Sequence, residues 1–386
     1  MLRFSSFISS SKYARGGALG RAARRRQYVG ILFWTIGALI LLDIAAGLAF
    51  RPPSDPRLAP SALQSYFNYG RSIEGKLRRM IGARPDQDAT IAKVGWLARE
   101  CDKDTPVPPG KLVFDIYGMS FSNQVADQMT RLDRGLAVQS FAGPGAPPNH
   151  SYACFIRRVE TKRARAPFQI LGVLASSVPR LETISGLTTS FEAPEPFTYP
   201  RYALDRDGHL VAYSPSIETQ NELRAALSDP AKWRVFVNEL AAHDAFYAPH
   251  VFKADIFDHS VLARMVRRAW GQRFSRDRTA ALRAEDSYSG APDIAPVLRA
   301  MLVDFADKAR AAGEHPIVIL FEDRGYGGTL DPIAEPVLLA HHIDFVATSA
   351  IAPTNDTANF LADGHFVPAV NEKIARAVLD LMHRAR

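Results

Sequence analysis

The chain has 386 residues, of which 47% are hydrophobic and 23% are charged. This composition excludes a disordered or collagen-like protein and allows one large domain or two ordinary ones. The formal net charge is +7, but seven basic residues and no acidic residue lie within residues 1–27. The rest of the chain carries 40 basic and 40 acidic residues, so its charge does not indicate a nucleic-acid partner.

An apolar segment, residues 28–50, follows this basic tail, and its only charged residue is Asp43. At about 1.5 Å per residue, a helix of this length crosses a hydrocarbon core of roughly 30 Å. The arginine cluster before it predicts a cytoplasmic N-terminus, with residues 51–386 on the outer side of the membrane. We therefore expect a single-pass protein of the inner (cytoplasmic) membrane with a periplasmic or extracellular C-terminal domain. Asp43 is expected to snorkel near the outer end of the span.

Two other interpretations of the N-terminus stay open. A cleaved signal peptide also combines basic and apolar segments, although its apolar region is usually shorter than residues 28–50. A mitochondrial presequence is also rich in Ser and Arg and poor in acids, as residues 1–27 are.

Residues 51–110 are rich in proline and predict a stem, with a short helix around Ser61–Ile81. Both cysteines of the chain, Cys101 and Cys154, lie in the part expected outside the cytoplasm. An oxidising compartment permits a disulfide between them, but two buried thiols are an equal alternative.

From Lys111 onward, short apolar runs alternate with helical periods, which predicts an α/β domain over residues 111–386. The fold class expected is a flavodoxin-like three-layer sandwich with about five parallel strands. The interval 176–290 breaks the alternation and is interpreted as an insertion containing a hairpin and polar helices. The predicted strands of the sheet are Leu112–Tyr117, Ala137–Phe141, Phe168–Leu174, Ile317–Phe321 and Asp344–Thr348.

Ser120 is the first candidate functional residue, because it follows the first strand in Gly118-Met119-Ser120 and precedes a helical period. Ligands collect at the carboxyl ends of strands in such sheets, and a helix N-terminus favours developing negative charge. A serine at this position is also an ordinary N-cap residue, and this alternative stays open.

Two further segments follow the second strand and the last strand. Residues 142–149 form a Gly/Pro turn in which Gly143 and Gly145 let backbone N–H groups approach an anion closely. Asp363 and His365 precede the C-terminal helix, and an imidazole oriented by a carboxylate suits a general base. A plain loop and a structural histidine are the alternatives.

Taken in this order, the Ser, Gly-turn and Asp-x-His segments resemble the blocks of the SGNH (GDSL-type) serine hydrolases. The resemblance covers about residues 111–386 apart from the insertion. It implies the SGNH hydrolase fold, with Ser120 as nucleophile, His365 as general base and Asp363 as its orienting carboxylate. It also implies oxyanion donors at Gly145 and then Gly143.

Two positions depart from the family's pattern. Met119 replaces the Asp of Gly-Asp-Ser, and the block that supplies an oxyanion asparagine reads Leu174-Ala175-Ser176-Ser177. Ser176 or Ser177 would have to donate in its place.

The resemblance implies an esterase or O-acyltransferase acting on O-acetyl esters of envelope or exported polysaccharide. The acceptor, water or a sugar hydroxyl, separates the two activities. A non-catalytic scaffold or binding subunit of a polysaccharide export or modification assembly is the alternative, motivated by both departures. No metal or cofactor motif is present, and the sequence does not predict the oligomeric state.

Overall fold

The first helix of the computed structural model, α1, runs from Gly17 to Ala49. The structure describes the chain apart from residues 1–16, 105, 107, 144, 164, 284–287 and 289–292, with side chains from residue 24 onward. Part of the predicted tail thus lies outside the described residues. The segment Arg24–Ala49 of α1 is long and apolar enough to cross a membrane, and its most apolar stretch is not buried in the protein.

The centre of the globular part is a five-stranded parallel sheet. The predicted α/β class and parallel sheet are confirmed. The strands are β1 (Leu112–Tyr117), β2 (Leu136–Ser140), β3 (Phe168–Leu174), the antiparallel hairpin β4 (Arg201–Leu204) and β5 (Leu210–Tyr213), β6 (His315–Phe321) and β7 (Asp344–Ala347). The parallel strands lie in the order β2-β1-β3-β6-β7, which reverses beside β1, and in such sheets ligands collect at the strand ends next to a reversal.

Helices cover both faces of the sheet. The bounds of the helices after α1 are α2 (Ala62–Asn68), α3 (Ile73–Met80), α4 (Leu97–Glu100), α5 (Ser120–Leu132), α6 (Pro148–Glu160), α7 (Gln220–Ser228), α8 (Pro230–His243), α9 (Pro249–Phe252), α10 (Val261–Arg283), α11 (Ile294–Ala311), α12 (Asp331–Ala340) and α13 (Pro368–Arg384). Helices α5 and α13 pack on one face with Phe114 and Ile116 of β1. Helices α6, α11 and α12 pack on the other face with Tyr117. Neighbouring side chains of a strand point to opposite faces, so β1 and β3 are largely apolar, apart from the buried Asp115 and Gln169.

A second apolar core lies outside the sheet. Leu77 of α3 and Trp96, both within the segment expected to be a stem, are buried against residues of the expected insertion such as Phe197, Phe236 and Phe252. The part of the stem from α3 onward therefore belongs to the globular body, because its apolar face has a partner far along the chain.

A disulfide joins the two cysteines, with a Cα–Cα distance of 5.4 Å between Cys101 and Cys154. Both residues are fully buried. The bond ties the end of α4 to the middle of α6, and it decides between the two alternatives that the sequence left open.

Candidate active site

Ser120 and His365 meet at the edge of the sheet where the strands end. Ser120 is the first residue of α5, directly after β1, and His365 lies in the turn that precedes α13. Ser120 Oγ lies 2.7 Å from His365 Nε2, although 245 positions separate the two residues. The crossover connections of a parallel sheet return successive strand ends to one edge, which brings distant residues together.

The backbone before Ser120 requires a glycine. Gly118 has a φ of +145°, and a Cβ there would stand 2.1 Å from Ser122 Oγ and 3.2 Å from Gly172 O. Met119 is the residue that caps α5, and its side chain makes no capping bond. The hydroxyl of Ser120 is bonded to the imidazole and does not cap the helix, so the N-cap alternative is wrong.

Asp363 contacts His365 in two ways. Its Oδ1 accepts the backbone N–H of His365 at 3.1 Å. Its Oδ2 lies 3.1 Å from Nδ1 of the ring, but Nδ1 lacks the alignment of a hydrogen bond. The backbone bond and the nearby imidazole hold the pKa of Asp363 below its ordinary value. Because its side chain is 65% exposed, Asp363 orients the histidine mainly through the turn and only weakly through the ring.

Phe121, which the sequence analysis did not single out, packs on the imidazole. Its ring centroid lies 4.8 Å from that of His365 at an interplanar angle of 27°, and Phe366 meets Phe121 edge-on at 5.4 Å. The stacking restricts rotation of the imidazole toward Ser120. In the sequence, the signal for this contact is an aromatic residue directly after the candidate serine.

The two glycines of the predicted oxyanion turn differ in their contacts. The N–H of Gly143 donates to Gly118 O at 3.1 Å, so its predicted role as a free oxyanion donor is corrected: it closes the turn. Gly145 has a φ of +58°, and a Cβ on it would stand 2.9 Å from Glu195 Oε2. Gly145 therefore stays the candidate donor of this turn, whose residue 144 lies outside the described chain.

The serines after β3 are held by other partners. Ser177 Oγ donates to Leu174 O at 2.7 Å, which contradicts its predicted role as the replacement for the asparagine. The N–H of Ser176 donates to Asp323 Oδ1 at 3.0 Å. Among the described contacts, neither serine touches Ser120 or His365.

Glu195 lies beside Gly145 of the Gly/Pro turn and was not predicted as a site residue. Burial raises the pKa of this carboxyl to about 7. Its backbone N–H donates to Gly186 O at 3.1 Å, which fixes the residue next to Gly145. No pattern in the sequence points to this residue, because Glu195 belongs to the expected insertion and reaches the turn only through the fold.

Two other features could hold a ligand. A cavity of about 920 Å³ lies among α6, α11 and the β4–β5 hairpin, and neither Ser120 nor His365 lines it. Asp205, Asp207 and His209 in the hairpin have ligand atoms within 4.8 Å of one another, but all three are exposed. Neither feature belongs to the Ser120–His365 site.

A hydroxyl bonded to an imidazole at a helix N-terminus has the geometry of a serine that a histidine can deprotonate. Comparison of the chain with protein-family models, with curated proteins and with solved structures found no match.

Proposed function

We propose that the protein is a membrane-anchored serine acyl-ester hydrolase or O-acyltransferase. The observation that carries the proposal is the 2.7 Å distance between Ser120 Oγ and His365 Nε2 at the start of α5. The resemblance to the SGNH-type hydrolases assigns the nucleophile and the base to the same two residues. The hydroxyl of Ser120 is bonded to the imidazole and makes no capping bond to its helix.

In the proposed reaction, His365 Nε2 takes the proton of the Ser120 hydroxyl while Oγ forms a bond to the ester carbonyl carbon. The carbonyl electron pair moves to oxygen, and the N–H groups of Ser120 and Gly145 stabilise that oxyanion. His365 then gives the proton to the alcohol oxygen as the ester C–O bond breaks, which leaves an acyl group on Ser120. Water or a second hydroxyl resolves this acyl-enzyme, again with His365 as base.

The positive end of the α5 dipole adds to this stabilisation. Ser120 is the first residue of the helix, so the unpaired N–H groups of the first turn lie beside the developing negative charge. The dipole favours the oxyanion over the neutral ester, which is the requirement for a rate effect.

The proposed substrate is an ester-bearing carbohydrate, with O-acetyl groups of envelope or exported polysaccharide as the class. This follows from the anchor: Arg24, Arg25 and Arg26 precede the apolar part of α1, and a basic flank stays in the cytoplasm. The domain would then meet envelope polymers, and the Cys101–Cys154 disulfide fits an oxidising compartment.

A non-catalytic scaffold with the same fold is the second candidate. Three observations favour the scaffold. Met119 stands in place of the family's Asp. The N–H of Gly143 and the hydroxyl of Ser177 already donate to backbone oxygens and are not free to bind an oxyanion. Losing a single oxyanion donor costs roughly 10²–10³ in turnover.

Acetate release from acetylated polysaccharide and from aryl acetates tests the proposal. The full-length protein should release acetate, and Ser120→Ala should lower the rate by about 10³-fold or more. Ser228→Ala is the matched control, because that exposed hydroxyl bonds only within α7. Equal rates for wild type and Ser120→Ala would favour the scaffold.

A further inference from the structure

In the first turns of α10, charged side chains are buried and apolar side chains are exposed. The residues buried in them include Arg264 and Arg267, whereas Leu262, Val266 and Trp270 are exposed. The exposed residues follow one another at intervals of four, so they share one face of the helix. A surface helix usually has charged residues on the face that meets water. In the first turns of α10, charged residues lie on the buried face instead.

Both buried arginines have polar partners on the inner face. Arg267 Nη1 donates to Asp258 Oδ1 at 2.5 Å, and Arg267 also contacts Asp255. Arg264 Nε donates to the backbone oxygen of Ser260 at 3.3 Å. These partners keep the two guanidinium groups on the inner face, which leaves the apolar side chains on the outer face.

The start of α10 is attached to the anchor helix α1. Asp43 Oδ1 accepts the N–H of Leu262 at 2.8 Å and the hydroxyl of Ser260 at 3.1 Å. Gly47 lies one turn further along α1, where a Cβ would stand 3.7 Å from Val261 Cγ2. Asp43, expected from the sequence to snorkel, instead accepts a backbone N–H of the first turn of α10, beside the cap that Ser260 Oγ provides for Ala263.

This contact sets the depth of the N-terminus of α10 relative to a bilayer that α1 crosses. Along a helix that rises about 1.5 Å per residue, Asp43 lies about 25 Å beyond Arg26, close to the far side of a hydrocarbon core of roughly 30 Å. The N-terminus of α10 is held at that level. Ile256 and Phe257, in the turn just before α10, are also exposed.

We propose that the exposed face of α10 is a second membrane contact, in which Leu262, Val266 and Trp270, with Ile256 and Phe257, enter the outer leaflet beside α1. The occupant is the lipid of the bilayer that α1 crosses. Amphipathic helices bury their apolar face about 5–10 Å into the boundary between head groups and acyl chains, and Trp prefers that boundary. The contact would hold the domain on the membrane in one orientation, independently of the proposed ester chemistry.

Fluorescence quenching in vesicles tests this contact with the full-length chain. Val266→Cys gives a labelling site, because Cys101 and Cys154 are bonded to each other. Val235→Cys, in α8, is the matched control, since both valines are 53% exposed. Each variant is labelled with an environment-sensitive fluorophore and reconstituted into phosphatidylcholine vesicles with or without nitroxide on the upper acyl chain.

We expect the nitroxide lipid to remove roughly half or more of the emission from the label at position 266 and little from the label at 235. Equal quenching at the two positions would overturn the proposal. The measurement is repeated in nanodiscs that hold one protein each. Quenching at position 266 that appears only in the nanodiscs would mean that a second copy covers the face in vesicles, which also overturns it.

The variant Asp43→Ala tests, in the same assay, the contact between Asp43 and the start of α10. Removing the cap should reduce the quenching at position 266, while circular dichroism checks that the domain stays folded. Undiminished quenching in the folded variant would overturn the assignment of Asp43 as the residue that sets the depth.

Discussion

The contribution of the disulfide to the unfolding free energy can be calculated from the length of the loop that it closes. Replacing Cys101 and Cys154 by alanine opens a loop set by their sequence separation of 53. In the chain-entropy treatment, a loop of this length is worth about 4 kcal/mol at 25 °C. Residual structure in the unfolded chain reduces that figure, so it is an upper value. We expect the double variant to lose about 2–4 kcal/mol of unfolding free energy.

The assay is guanidinium unfolding of the full chain in detergent, followed by tryptophan fluorescence. Trp96 and Trp233 are buried in the second core and report its loss. The single variants Cys101→Ala and Cys154→Ala should match the double variant, because each removes the same bond. Reduction of the wild type should produce the same shift.

An unchanged unfolding midpoint in the double variant would refute this reasoning. Two titratable thiols in the natively purified, unreduced protein would refute it more directly, since no bond would then exist. Either result would also remove the support that the bond gives to an oxidising compartment.

Three further predictions concern the site. Asp363→Asn should lower kcat/KM by only about fivefold or less, because an exposed ion pair contributes about 1 kcal/mol or less; a loss near 10⁴ would indicate a fully coupled triad. Phe121→Ala should lower the unfolding free energy by about 3–5 kcal/mol, and Phe121→Leu should keep most stability but lower turnover, because an aliphatic side chain does not stack on the imidazole. Glu195→Gln should stabilise the protein increasingly between pH 4.5 and about 7, since the unfolded carboxyl loses its proton near 4.5 and the folded one near 7. The wild type is thus destabilised as pH rises through this window. Chemical unfolding at several pH values measures the difference in unfolding free energy between the two proteins. A difference that does not change with pH would contradict burial as the cause of the raised pKa.

The sheet was predictable because its central strands are buried on both faces. Phe168–Leu174, for example, is apolar apart from Gln169 and Gly172 and is buried throughout. Ser120 and His365 were predictable because residues after strand ends converge in a parallel sheet. Their 2.7 Å contact follows from this topology and a local motif on each side.

The parts that sequence could not predict depend on distant partners. Trp96 looks like part of a spacer until residues of the insertion bury it. Helix α10 escapes a search for an apolar buried stripe, because its inner face carries Arg264 and Arg267. Ser177 looked like an oxyanion donor, but its hydroxyl is used by the turn that contains it.

Labelling of the folded, full-length protein by a fluorophosphonate tests the central claim most directly. In this reaction Ser120 Oγ bonds to phosphorus, fluoride leaves and His365 takes the proton, so both residues are needed. The account predicts one adduct, at Ser120, that is absent from Ser120→Ala and strongly slowed in His365→Ala. A folded sample that forms no adduct at Ser120, or that reacts equally fast without His365, would contradict it.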